Sequence, residues 1–147
     1  WKSGDDEESV SCFRLLNSSF GRSEGEMGEK EKQELRTRTK SFALRIIRLY
    51  VSLPKTTEAQ ILGKQVLRSG TSVGAHYREA YRAKSDADFI NKMEGGLQEL
   101  DETAYWLELL VESGIAKRAR LEPLMQETNE LIAIFVTIVN KMKGKQK

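Results

Sequence analysis

Cysteine, histidine and proline are scarce in this chain of 147 residues, which holds one Cys, one His and two Pro. A single Cys12 excludes an intrachain disulfide and a cysteine metal cluster, and a free thiol in a reducing compartment needs no special role. With His76 the only histidine, no multi-histidine metal site can be assembled. Aromatics make up 7% of the residues, and beside the basic residues of the second helix they are limited to Tyr77 and Tyr81, both expected on its core side. No apolar run approaches the roughly 18 to 20 residues needed to cross a bilayer. The N-terminus also lacks the basic, apolar and small-residue order of a secretion signal. The expectation is a cytoplasmic protein with no membrane partner. Charge of one sign is missing too: the formal net charge is +2, with 8 basic and 9 acidic groups in residues 1–40 and 16 against 13 in residues 41–147. Any electrostatic function must therefore rest on where the charges sit.

What the chain does contain is helical patterning, with 39% hydrophobic and 31% charged residues. The length suits one domain with a real core. Residues 1–26 cluster acids, Ser, Gly and Asn around a short apolar patch at Cys12, Phe13, Leu15, Leu16 and Phe20. Residues 1–30 therefore read as a flexible or weakly ordered extension, residues 31–143 as an all-α four-helix bundle and residues 144–147 as a basic tail. The chain opens on Trp1, and Met27 stands at the change in composition, so Met27 is one candidate start; a natural tail or a piece of a longer chain is the other reading.

The first helix is expected from about residue 30 to Leu53, because the residue before Pro54 is pushed out of helical geometry. Its apolar set of Phe42, Leu44, Ile46, Ile47, Leu49, Tyr50, Val51 and Leu53 covers more than one stripe, which predicts burial on more than one side. Thr56 or Thr57 should cap a second helix that runs to about Lys84. Ser85, three residues before Asp88, should cap a third that Ser113-Gly114 stops. A fourth is expected from about Lys117 to Met142, with Pro123 early enough to be tolerated.

The second helix is central. At about 100° per residue, Leu62, Val66, Ser69, Gly70, Val73, Tyr77, Ala80 and Tyr81 gather on one side of it. Gly70 and Gly74 each cost roughly 1 kcal/mol against Ala inside a helix, so another backbone should pass close by, unless the glycines break the helix in two. On its opposite side Lys64, Arg68, Arg78 and Arg82 fall within about 80° of one another, continued by Lys84 at the turn. These five are the candidate nucleic-acid-binding residues, the simpler alternative being a solvated face whose arginines pair with Glu79 or a neighbouring helix. Ile61, Leu67, Tyr105, Trp106, Leu109, Leu110, Ile134 and Ile138 look like more apolar surface than four helices can hide, and they are the candidate oligomer interface.

Catalytic chemistry is not legible. His76-x-x-Glu79 is only one of the two elements that a di-iron bundle needs, and Gly70-x-x-x-Gly74 has neither the strand nor the Lys-Ser/Thr of a phosphate loop. Glu99, Asp101, Glu102 and Glu108 read as a solvated face with interhelix pairs. No cofactor, metal or enzymatic activity is expected.

The segment Gln65-Val-Leu-Arg-Ser-Gly-Thr-Ser-Val-Gly-Ala-His-Tyr-Arg-Glu-Ala80, with Ser85-x-x-Asp-Phe-x-x-Lys92 and Glu102-Thr-x-Tyr-Trp-Leu-Glu-Leu-Leu110, resembles the bacterial proteins encoded in intervening sequences of 23S ribosomal RNA genes. The resemblance spans about residues 37–142. It implies an antiparallel up-and-down four-helix bundle assembled into a ring, a pentamer, without catalytic residues. The chain is also similar to the accessory proteins of reverse transcriptases in diversity-generating retroelements, which implies either RNA or DNA, or a polymerase or other protein, as partner. His76 stands where the family commonly has Asn, and Gly95-Gly96 where larger residues are usual. Two functions stay open at this point: an oligomer that binds nucleic acid, structured RNA first, and a scaffold that holds other proteins. Truncation to Met27 should shift the melting temperature by less than about 5 °C, because a tail without a buried face makes few contacts; a larger drop in a thermal melt contradicts this.

Overall fold

Pro54 divides the first two helices, and the rest of the architecture follows from three short turns. The structure, a computed structural model, describes residues 28–145. They form α1 (Glu29–Ser52), α2 (Thr57–Tyr81), α3 (Asp86–Glu112) and α4 (Arg118–Lys145), in an antiparallel bundle with no strand among the described residues. The apolar patch from Cys12 to Phe20 and the Met27 start both lie outside the described residues.

Each end has a local cause. The Gly28 N–H donates to Glu31 Oε2 at 2.6 Å, the half of a capping box that a glycine can make. Thr56 occupies the cap position of α2, but its side chain makes no capping hydrogen bond. Instead Gln60 reaches back, donating to the Pro54 carbonyl at 2.8 Å and accepting from Tyr50 Oη at 3.2 Å. α2 ends at Tyr81, about one turn before the expected Lys84, which leaves Lys84 in the turn. Ser85 caps α3 as expected, its hydroxyl accepting from the Asp88 N–H at 3.1 Å. Gly114 closes that helix with a φ of 78°, a left-handed conformation that favours glycine. Pro123 lies inside α4 without ending it.

α2 packs most extensively, against α3 on one side and α1 on the other, while α1 and α4 approach each other least. The helix runs unbroken through both glycines. A Cβ on Gly70 would stand 2.6 Å from Ile46 Cγ1, and one on Gly74 would stand 3.3 Å from Thr39 Oγ1. The neighbour at both glycines is α1, but at Gly70 it is the Ile46 side chain and not the expected backbone that comes close, and at Gly74 the Thr39 carbonyl oxygen would lie 3.6 Å from the Cβ. Between α2 and α3, Thr103 Oγ1 donates to the Glu99 carbonyl at 2.8 Å and lies 2.8 Å from Ser69 Oγ, so the buried hydroxyls are satisfied.

The wider gap between α1 and α4 is spanned by charge. Arg38 on α1 forks onto Glu127 and Glu130 of α4, and Arg45 lies 3.9 Å from Glu127. Burial pushes the Glu127 carboxyl above the usual carboxylate range, and its hydrogen bond to Arg38 pulls it part of the way back. Buried charges of this kind depend on their partners.

Three residues proposed for an oligomer interface are corrected here: Leu110, Ile134 and Ile138 are buried in the core of the single chain. Each helix faces two neighbours, so the apolar arc it hides is wider than one stripe. α1 differs in the opposite direction. Phe42, Ile46 and Leu49 are core, but Leu44, Ile47 and Val51, expected to be buried on a second side, are exposed in the single chain.

Two stability outcomes follow. Gly70→Ala should cost about 1–3 kcal/mol in denaturant unfolding, because overpacking against a buried β-branched side chain outweighs the helix propensity gained; a stabilised variant contradicts the close packing. Glu127→Ala should cost about 3 kcal/mol by leaving Arg38 under-compensated, and a loss below ~1 kcal/mol would mean that the pair does not hold α1 to α4.

Candidate nucleic-acid interface

The five cations proposed on α2 do not form one continuous site. Lys64 and Arg68 lie in the half of the helix near the Pro54 turn, and Arg78, Arg82 and Lys84 lie at the other end, about 15 Å further along between Arg68 and Arg78. Arg68 is held by α3: its guanidinium meets Glu99 at 3.2 Å and Glu102 at 2.6 Å. The hydrogen bond to Glu102 raises the Arg68 pKa further above its ordinary value, while burial raises Glu99 and Arg68 lowers it in part. Two carboxylates on one guanidinium leave no positive surplus there. The simpler reading, a neighbouring helix pairing with an arginine, holds for Arg68.

The lower end is different. Arg82 and Lys84 are exposed, Arg78 is half-buried, and none of the three makes an ion pair among the described residues. Glu79, the one acid on that stretch of α2, turns toward α3, where it lies 3.7 Å from Lys92 and 3.9 Å from His76 Nδ1.

Sequence reasoning missed a further member of this group. The Tyr77 hydroxyl donates to the Lys32 carbonyl at 2.9 Å, and Gly74 lies against Thr39. That antiparallel register places Arg36 of α1 at the height of Arg78, on the side of α1 that faces outward along α2. Arg36 is exposed and likewise makes no ion pair among the described residues. Of the acids at this end, Glu29 meets Lys32 at 3.1 Å and Glu31 accepts from Gly28, while Glu34, Asp86 and Asp88 make no ion pair among the described residues. The signal for Arg36 was present only in the pairing of two helices, which a single-helix projection does not contain.

Among the described residues no aromatic platform accompanies these cations. Tyr77 is buried, and Tyr81 packs edge-on to Tyr77 and Phe89, with the Lys32 ammonium 5.4 Å from its ring centre. Burial pushes the Tyr81 hydroxyl up to about 12. His76 is half-buried, and its Nδ1 has no hydrogen-bond partner. Its ring lies over Gly95, where a Cβ would come within 2.9 Å of Nδ1. No group of three metal-ligating side chains exists among the described residues.

Of the proposed interface residues, Ile61 and Tyr105 are exposed, and Leu67, Trp106 and Leu109 are half-buried. No helix among the described residues is long and apolar enough to cross a membrane.

An all-α bundle of four antiparallel helices is the class defined so far. Residues 31–137 match the family model of the 23S rRNA-intervening sequence protein, and the chain belongs to that family. It is also similar to a crystal structure from Bacteroides thetaiotaomicron, a protein of unknown function from the S23 ribosomal protein family. That similarity has 38% identity and a TM-score of 0.70, covering 74% of this chain and 97% of the other. No curated protein matches the chain. Neither the family nor the neighbour carries a catalytic description.

Arg68→Ala should lower stability by less than about 1 kcal/mol, the range of exposed pairs. A larger loss in denaturant unfolding would make the Arg68 cluster a structural clasp like that of Arg38.

Proposed function

We propose that this chain is a non-enzymatic, cytoplasmic, oligomeric bundle that binds the phosphate backbone of nucleic acid, structured RNA first, through the lower end of the α1–α2 face. The observation that carries this reading is the group formed by Arg36, Arg78, Arg82 and Lys84. These are four cations on adjacent elements, none in an ion pair among the described residues, and Glu79 and Glu29 are engaged elsewhere. Lys64 and Arg68 contribute less, the first by distance and the second because Glu99 and Glu102 balance it. The family's association with ribosomal RNA intervening sequences is in keeping with this choice of ligand. Among the described residues the aromatics beside the cations, Tyr77 and Tyr81, are packed against other rings, which favours paired over unpaired strands, since single-strand binders stack bases on aromatic rings.

One subunit offers few charges, and an oligomer multiplies them. Resemblance to the family makes a pentamer the expected assembly. The second reading is a scaffold for a reverse transcriptase or another protein, favoured by the exposed Ile61 of α2.

In a filter-binding or anisotropy assay, affinity for an RNA duplex should fall with salt, with a log–log slope of about 0.7 to 0.9 per phosphate contacted. The triple variant Arg36→Glu, Arg78→Glu, Arg82→Glu should lose binding while keeping its helicity, and Arg68→Ala should bind nearly as the parent does. No retention of RNA or DNA by the parent at 50 mM salt, a condition in which about six phosphate contacts would bind strongly, contradicts the nucleic-acid reading and leaves the scaffold.

A further inference from the structure

α1 and α3 carry opposite charge on their outward faces. After Glu34, α1 has no acidic residue and five basic ones; after Lys92, α3 has no basic residue and six acidic ones. Some of these charges are already matched within the chain, as Arg38, Arg45, Glu94, Glu99 and Glu102 are. What remains is Arg36, Lys40 and Arg48 on α1 and Asp101, Glu108 and Glu112 on α3, all exposed and none in an ion pair among the described residues.

Each unmatched set borders exposed apolar side chains. Leu44, Ile47 and Val51 are 42%, 40% and 68% exposed and lie within about 60° of one another on α1, with Lys40 in line with them about one turn before Leu44 and Arg48 beside them. On α3, Tyr105 is 52% exposed, and the half-buried Trp106 and Leu109 adjoin it among Asp101, Glu108 and Glu112.

The two patches also overlap in height. Ile46 packs at Gly70, and the adjacent Ser69 meets Thr103, so Ile46 and Thr103 share a level across α2. Measured from there toward the Pro54 end at about 1.5 Å per residue, Leu44, Ile47 and Val51 lie at about −3, +1.5 and +7.5 Å. Tyr105 and Leu109 lie at about +3 and +9 Å. α1 and α3 run in the same direction.

We propose that a second copy of the chain covers these patches, the cation-bordered α1 stripe of one copy seating on the acid-bordered α3 stripe of the next. The contact is heterologous, because two different faces meet. Without an offset along the helices it carries no rise, the condition for a closed ring and not a climbing filament. Lys40 and Arg48 then face Asp101, Glu108 and Glu112 around a desolvated centre of Leu44, Ile47, Val51 and Tyr105, an apolar core with a polar rim. This rests on the oligomeric part of the proposed function and specifies which faces meet.

Two variants test it, each with one face spoiled: Ile47→Asp with Val51→Asp, and Tyr105→Asp with Leu109→Asp. By sedimentation each should be monomeric alone, with helicity unchanged, and their equimolar mixture should form a heterodimer of twice the chain mass, because each retains the face the other lacks. If the half-buried Leu109→Asp change reduces helicity, Tyr105→Asp alone replaces it. A mixture that stays monomeric, or either variant assembling as the parent does, overturns the pairing of α1 with α3 while leaving an oligomer formed by other faces intact. A monomeric parent overturns the oligomeric reading itself.

Discussion

Close approach along α2 is the constraint on which the rest of this bundle depends. Ile46 can enter only because Gly70 has no side chain, and Tyr50 and Leu53 crowd Gly63 in the same way. Each glycine weakens the helix locally, and the loss is offset where a neighbour fills the space. α3 repeats the arrangement: Phe135 of α4 approaches Gly96 so closely that a Cβ would stand 2.7 Å from its ring. Registers set in this way decide which surface residues share a height, and therefore which charges add together.

The single histidine fits the same logic. The His76 ring on α2 occupies the space that a side chain at position 95 of α3 would need. A larger ring on α2 is accommodated by a smaller residue on α3, so the pair explains itself through packing without invoking a ligand.

Much of the fold was legible from punctuation and period. Pro54, Ser85 and Gly114 each end or start a helix for the reason their chemistry predicts, and the small-residue band of α2 pointed to a close neighbour. What escaped were properties of pairs. Arg68 looked like a free cation in a one-helix projection, but Glu99 and Glu102 of α3 take it up. Arg36 looked unremarkable until the α1–α2 register set it beside Arg78. Leu110, Ile134 and Ile138 appeared surplus because a projection does not know how wide an arc two neighbours cover. Leu44, Ile47 and Val51 form a genuine second stripe, yet the chain alone leaves them in solvent.

The apolar stripes with charged borders lie toward the Pro54 and Gly114 turns, and the group of Arg36, Arg78, Arg82 and Lys84 lies toward the opposite end. Assembly at the first would array the second around a common axis, so that a weakly charged chain presents a dense cationic rim. The most direct test is photochemical cross-linking of the assembled protein to duplex RNA, with the linked peptides mapped by mass spectrometry. The account predicts cross-links concentrated in residues 32–40 and 77–85. Cross-links confined to the lysine-rich stretch from Lys141 to Lys147, or to the α3 face around Tyr105, would contradict it.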